Sequence, residues 1–313
     1  MMKLWVVMNL TLLLLFAFIF GILGAVGYYV GISGYIIVFL AILVVFFQWL
    51  IGPKIIWWTT NMRLIKDNEY PELWKCVREI CKKNKTPVPR LAIVRTGSPN
   101  AFIFGRTPSS ATLAVTQGLL KTLNENEIKA VIAHEIGHLK HKDMIYLTVV
   151  GSIPVILYFI ARFLIFAPRK DERRGGAAIV IGLVAFLLYF ITNLLVLLLS
   201  RLREYYADYF SAVNTKPRDL INALVKITYG LSISRERGNE AVRTFYIADP
   251  LSATKEVSTF SSEYADLEID EKELEKAMEW EKRNPLVKFL EIFQTHPLTY
   301  KRIMALRKLE ERR

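Results

Sequence analysis

Hydrophobic residues are spread unevenly along the 313-residue chain, and four apolar stretches are each long enough to cross a bilayer. They run from about Leu4 to Val26, from about Ile32 to Ile51, from about Met144 to Ala167 and from about Ala177 to Leu199. These stretches contain no Asp, Glu or Lys, and their single Arg is Arg162, near a helix end. The pattern predicts a mainly α-helical integral membrane protein with four transmembrane helices.

The apolar stretches divide the chain into four segments. Residues 1–52 hold two predicted transmembrane helices, and residues 144–200 hold a predicted transmembrane hairpin. Residues 53–143 and 201–313 are rich in polar side chains, so we interpret them as the two halves of one domain outside the bilayer. The predicted domain is therefore interrupted by the hairpin.

The placement of charges predicts how the chain is oriented in the membrane. The turn Gly27–Gly31 carries no charge, whereas Gly52–Lys142 is rich in Lys and Arg, which retain a segment on the cytoplasmic side. We therefore expect a multi-pass protein of the plasma membrane with both polar segments on the cytoplasmic side. The basic turn Arg169–Arg174 conflicts with it. Either that turn is an exception, or the third and fourth helices form a hairpin that does not fully cross.

The net charge of +12 bears on the kind of partner. Basic residues are interleaved with acidic ones, and the aromatic-and-basic surface of a nucleic-acid module is missing from the sequence. We therefore expect no nucleic-acid partner, and we interpret the excess of Lys and Arg as contacts with anionic lipid of the bilayer.

The segment that follows Asn124 carries the most informative motif of the chain. Asn124 and Glu127 have the spacing of a capping box, and apolar residues then recur at helical intervals. On such a helix His134 and His138 lie on one face, one turn apart, where two imidazoles bind a single zinc ion. Glu135 is rotated away from that face, as required of a base that takes a proton from zinc-held water. The motif is that of zinc proteases.

A third protein ligand must come from elsewhere in the chain. A further His on the same helix is ruled out, because the Gly and His positions of that longer motif are occupied by His141 and Met144. The best candidate is Glu204, with Asp208 one turn later to accept the other ring N–H of a ligating histidine. In the alternative, both carboxylates merely pair with nearby arginines.

Taken together, these motifs resemble the HtpX family of membrane zinc metalloproteases, of the gluzincin type. The resemblance covers almost the whole chain in order and spacing. It rests on His134–His138 with the following Leu139–Asp143, on Arg201 to Asp208, on Ser98–Phe102, and on His296-Pro297 with Arg302-Ile303.

The resemblance implies protein or peptide substrates and a role for each matched residue. His134, His138 and Glu204 would bind one Zn²⁺, Glu135 would be the catalytic base, and Asp208 would orient a ligand. His296 and Arg302 would lie close to the metal as further catalytic residues and stabilise the oxyanion. Thr295-His296-Pro297 has a second interpretation, an ordinary helix start with Pro in its first turn.

Two stretches of strand character predict a small β-sheet in the protease domain. Asn100 to Phe104 and Ala111 to Thr116 are separated by Gly105 and Pro108. The resemblance implies that Asn100, Ala101 and Phe102 bind the substrate backbone, which adds to the sheet as an extra strand. Alternatively, the strands form a small hairpin that packs on the zinc helix.

The function that the sequence predicts is endopeptidase cleavage of misfolded or damaged membrane proteins near the cytoplasmic surface. His138 shortly precedes the third span and Glu204 shortly follows the fourth, so the metal should lie close to the membrane. One alternative is a prenyl-protein (CAAX) endopeptidase, although those relatives use about seven helices and four spans are few. Another is a catalytically silent membrane scaffold, which the intact Glu135 disfavours.

Overall fold

The computed structural model describes residues 34–166, 172–233 and 271–312. Its helices are α1 (Gly34–Thr60), α2 (Pro71–Asn84), α3 (Gln117–Thr122), α4 (Glu125–Lys140), α5 (Asp143–Phe166), α6 (Glu172–Asn214), α7 (Pro217–Ile233), α8 (Glu271–Arg283), α9 (Pro285–Leu290) and α10 (Thr299–Glu310). The strands are β1 (Met62–Leu64), β2 (Arg90–Val94), β3 (Ala101–Phe104) and β4 (Thr112–Thr116), and short 3₁₀ helices cover Pro108–Ser110 and Glu291–Phe293.

Two helices in the described part of the chain are long and apolar enough to cross a membrane. They run over Asp143–Arg162 and Ala178–Asn214. The prediction of a mainly helical protein with a small sheet is confirmed, and these two helices coincide with the third and fourth predicted spans. The first predicted span lies outside the described residues. The second falls in α1 from Gly34 onwards and stays a prediction as a membrane crossing.

The chain divides into two compact units. The first consists of Met1–Gly52 and Ile145–Leu202, and the second of Pro53–Met144 and Arg203–Arg313. In the first unit α5 and α6 approach closely at Gly182, where an added Cβ would lie 2.8 Å from the Ile165 side chain. The second unit contains the sheet and all the candidate site residues.

The second unit is organised around a four-stranded mixed sheet of order β1-β2-β4-β3. β2 and β4 pair in parallel, while β1 and β3 pair antiparallel to their neighbours, so β3 lies at an edge. β3 and β4 are buried on both faces, which explains their continuous hydrophobic runs. The strand prediction for β3 and β4 was right to within one residue at their starts.

Each face of this sheet packs against different elements. One face carries Phe102, Phe104 and Ala114 against the end of α1. The other face joins the main core with α2, α4, α7 and α10, whose fully buried side chains include Val77, Ile132, Ile136, Leu220, Ile221, Ile303 and Leu306. The zinc-motif helix α4 is thus held between the sheet and the C-terminal helices.

Candidate active site

Helix α4 begins where its sequence predicts. The Asn124 side chain accepts the Glu127 backbone N–H at 3.0 Å, and the Glu127 carboxylate accepts the Asn124 N–H at 2.9 Å, which confirms the capping box. Further along, an added Cβ on Gly137 would lie 3.1 Å from the Ala207 Cα of α6. Because glycine has no Cβ, α4 and α6 approach closely enough for side chains of both helices to meet.

Three of the predicted site residues converge on one point. His134 Nε2 lies 3.2 Å from His138 Nε2 and 3.6 Å from a Glu204 oxygen, and His138 Nε2 lies 3.4 Å from the other Glu204 oxygen. Ligands bound to a tetrahedral zinc ion at about 2.0–2.1 Å lie roughly 3.3–3.4 Å from one another. The separations therefore fit a triangle of ligands around one zinc ion.

The opposite nitrogens of both imidazoles face carboxylates. His134 Nδ1 lies 3.0 Å from Asp208 Oδ1, and His138 Nδ1 lies 2.6 Å from Asp143 Oδ2. A proton on each Nδ1 leaves the Nε2 lone pair free for a metal. Burial lowers the pKa of His134, but its hydrogen bonds to Asp208 and Glu204 outweigh that effect and raise the pKa.

Glu135 is buried beside this triangle. It has 4% of its surface exposed, and a carboxylate oxygen lies within 4.8 Å of the two histidine ligand atoms. Burial raises the pKa of its carboxyl, while the nearby histidines and the Ile103 backbone hydrogen bond oppose the rise. A carboxylate with a raised pKa is a better proton acceptor at neutral pH.

Arg302 pairs with two acidic residues of α6. Its guanidinium donates to both oxygens of Asp208 at 2.9 and 2.6 Å, and Nη1 lies 3.3 Å from Glu204 Oε2. Burial alone would lower the pKa of Arg302, but Asp208 and Glu204 outweigh it and raise the pKa. The arginine pairing that was the alternative for these carboxylates is present, and it coexists with their histidine contacts.

His296 lies at the same site. Its Nε2 is 3.7 Å from Glu204 Oε1, and its Nδ1 shares a hydrogen bond with the Thr295 hydroxyl at 2.9 Å. Helix α10 begins only at Thr299, so the interpretation of Thr295-His296-Pro297 as a helix start was wrong. Pro297 lies two residues before that helix.

The structure adds two site residues for which the sequence analysis proposed no role, Asp143 and Arg203. Both are 4% exposed, and Arg203 pairs closely with Asp143 while donating to the His141 carbonyl at 3.1 Å. Asp143 thereby bridges Arg203 and His138. The available signals were the position of Asp143 just after the zinc-motif helix and that of Arg203 directly before Glu204.

The predicted substrate-binding residues lie at the start of the edge strand. The side chains of Asn100, Ala101 and Phe102 are buried, with at most 4% exposed. The Asn100 N–H donates to Thr116 Oγ1 at 2.8 Å, and its carbonyl accepts the Thr116 N–H at 2.9 Å. Since these side chains are buried and both backbone groups of Asn100 are bound by Thr116, contact with a peptide would use the backbone groups of β3 itself.

A helix that carries two histidines and a buried glutamate, facing a carboxylate on a second helix, is the arrangement of a metallopeptidase. Comparison with known proteins leads to the same class of protein. Residues 68–310 match the model of peptidase family M48, and the chain belongs to this family. The prediction that the protein is a metalloprotease is confirmed.

Curated relatives resemble the chain over most of its length. A protease HtpX homologue of Methanothermobacter thermautotrophicus is 41% identical over 234 residues, which cover 74% of this chain and 88% of that protein. A protease HtpX homologue of Pyrococcus furiosus is 34% identical and covers 95% of this chain and 94% of its own. The resemblance to the HtpX family is confirmed.

The chain also resembles solved structures in its fold. The crystal structure of S. mikatae Ste24p superposes with a TM-score of 0.54 at 18% identity, over 98% of this chain and 67% of that one. At 18% identity, this similarity shows that the two proteins share a fold.

Proposed function

We propose that the protein is a membrane-bound, zinc-dependent endopeptidase that cleaves misfolded or damaged membrane proteins at the cytoplasmic surface of the plasma membrane. The observation that carries this proposal is the convergence of His134, His138 and Glu204, with separations of 3.2–3.6 Å, beside the buried Glu135. The protease domain would be assembled from residues 53–143 and 201–313. The basic character of Gly52–Lys142 supports the cytoplasmic side.

His134, His138 and Glu204 would hold one zinc ion per chain. When bound, zinc supplies a Lewis acid for the scissile carbonyl and lowers the pKa of the water that it holds to about 7. Asp208 and Asp143 would keep the imidazoles in the tautomer and orientation that binding requires, because their carboxylates lie 3.0 Å from His134 Nδ1 and 2.6 Å from His138 Nδ1, respectively.

Glu135 would move the proton of the reaction. Its carboxylate takes a proton from the attacking water and delivers it to the leaving amine, and burial raises its pKa towards the value that suits both steps. His296, within 3.7 Å of Glu204, would donate to the developing oxyanion. Arg302 would act on the site through Asp208 and Glu204, since its guanidinium is already bound to them.

The edge strand β3 would align the substrate. A peptide added along β3 would run past the backbone of Ile103, whose N–H already reaches Glu135. The side chains of Asn100, Ala101 and Phe102 are buried, and the Asn100 N–H and carbonyl already bond to Thr116. The edge strand would therefore offer a peptide only the backbone groups of β3, and this binding would tolerate many sequences. Such tolerance suits a protease whose substrates share a lack of folded structure.

The test is Glu135→Gln, compared with Glu125→Gln, an exposed glutamate at the start of the same helix. Purified Glu135→Gln should keep one zinc per chain yet lose chelator-sensitive self-cleavage in detergent, whereas Glu125→Gln should keep both properties. Loss of zinc from Glu135→Gln, or continued cleavage by it, contradicts the assigned role.

The substrate class needs its own assay. Reconstituted protein should degrade a destabilised membrane protein faster than its folded form, and a soluble prenylated tail peptide should remain intact. Cleavage of the prenylated peptide in preference to the unfolded protein would favour the CAAX-type activity instead.

A further inference from the structure

The segment before His296 exposes an unusual amount of apolar surface. Helix α9 and the following 3₁₀ turn present Leu286, Phe289, Ile292 and Phe293, which are 62%, 57%, 40% and 45% exposed. We call these four residues the apolar ledge. Isolated exposed apolar residues need no explanation, but a run of large ones along one short segment marks an interaction surface.

The ledge is held in place at both ends. The Asn284 side chain accepts the Leu286 N–H at 3.0 Å and caps α9, and the rings of Phe289 and Phe293 stack edge to face at 5.6 Å. At the other end Glu291 is buried, accepts the Leu298 N–H at 3.3 Å and pairs closely with Lys301. The exposure therefore belongs to a fixed surface that is anchored to the start of α10.

The charges around the ledge indicate what covers it. Lys288 is exposed within α9, and Lys282 and Arg283 are exposed at the end of α8 directly before it. Glu291, the one acidic residue from 282 to 293, is buried. Arg283 also pairs with Glu279 of α8 at 2.8 Å. Exposed aromatic and aliphatic side chains with a basic rim are typical of segments that lie in the interface of an anionic bilayer.

We propose that the apolar ledge inserts into the headgroup region of the bilayer that the chain's own apolar helices cross, and that its basic rim contacts acidic lipid. The bilayer is the occupant with matching chemistry, because it offers an apolar interior beneath a negatively charged surface. Since Glu291 ties the ledge to α10, insertion would fix His296 and Arg302 at a set depth relative to the lipid. The contact requires neither metal nor catalysis.

The test uses the full chain in nanodiscs, in the Glu135→Gln background so that self-cleavage cannot interfere. A photo-reactive phenylalanine analogue is placed at position 289 and, as a control, at position 88, where the exposed Val88 lies in the loop between α2 and β2 of the same unit. Irradiation followed by mass spectrometry should give lipid adducts at 289 well above those at 88. The yield should fall when phosphatidylglycerol is replaced by phosphatidylcholine, and also in Lys288→Glu.

Three results would overturn the proposal. Equal lipid labelling at both positions would show that labelling is not specific to the ledge. Cross-links from 289 to another part of the chain, or to a second copy, would identify a protein occupant. Adducts with water alone would show that the ledge faces solvent. None of these results depends on whether Glu135 is the catalytic base, so the proposed activity is tested separately.

Discussion

Replacing Arg302 by methionine should destabilise the fold more than any single surface change. Arg302 is 2% exposed, and its guanidinium makes two hydrogen bonds to Asp208 besides the contact with Glu204. Methionine fills much of the volume but removes the positive charge. The variant therefore leaves two buried carboxylates without their arginine partner.

The size of the expected destabilisation follows from the burial of Arg302 and Asp208. Removing one partner of a buried ion pair costs about 3–5 kcal/mol, because the remaining charge is left uncompensated. The pair between Arg78 and Asp67, with side chains 53% and 71% exposed, offers the matched control. An exposed pair of this kind contributes only about 0–1 kcal/mol, so Arg78→Met should be nearly neutral.

Thermal unfolding of the zinc-loaded protein in detergent measures the difference. At about 2–4 °C per kcal/mol, Arg302→Met should lower Tm by roughly 6–20 °C, whereas Arg78→Met should lower it by no more than about 4 °C. The additional change Asp208→Asn should restore part of the loss in Arg302→Met, since it removes one of the uncompensated charges. If Arg302→Met melts like Arg78→Met but loses catalysis, the arginine acts on the substrate and this reasoning is wrong.

Three further outcomes follow from the same geometry. Asp143→Asn should weaken zinc binding roughly 10–100-fold in a chelator competition, because its carboxylate contacts His138. Asp67→Asn, at an exposed position, should leave the zinc affinity unchanged. Equal zinc affinities of the two variants would show that Asp143 does not support the site. The hydrogen bonds that raise the pKa of His134 favour its protonated form, so protons compete with the metal for this side chain. Zinc retention after dialysis should therefore fall as the pH is lowered. Zinc retention that does not depend on pH would contradict the role of His134 as a ligand. Gly137→Val should lower the free energy of unfolding by about 1–3 kcal/mol, because a side chain there meets the backbone of α6. Gly151→Val should be tolerated, because the space around its Cβ position is open. Equal melting temperatures of the two variants would refute the close approach of α4 and α6.

Local signals predicted the zinc-motif helix well. The capping box at Asn124 and the apolar repeat that follows are complete within a few turns, and α4 begins at Glu125 as they indicate. β3 and β4 were also predicted, since both are apolar runs bounded by turn residues. In these elements the local pattern and the tertiary packing favour the same structure.

Elements that depend on distant partners were missed. β1 has only three residues and leaves no clear local pattern. β2 is an apolar run between Pro89 and Gly97 that the sequence analysis overlooked, and it pairs with β4, from which β3 separates it in the sequence. The pairing of Arg302 with Asp208 joins residues 94 positions apart. The sequence could place both residues at the site through the family motif, but only packing shows that the guanidinium is already bound by carboxylates.

The most direct test of the central claim is zinc-edge anomalous scattering from crystals of the full chain. The account predicts one zinc peak, about 2.0–2.2 Å from Nε2 of His134, Nε2 of His138 and a carboxylate oxygen of Glu204. A peak bound by other residues, or zinc-loaded crystals without a peak between these three side chains, would contradict it.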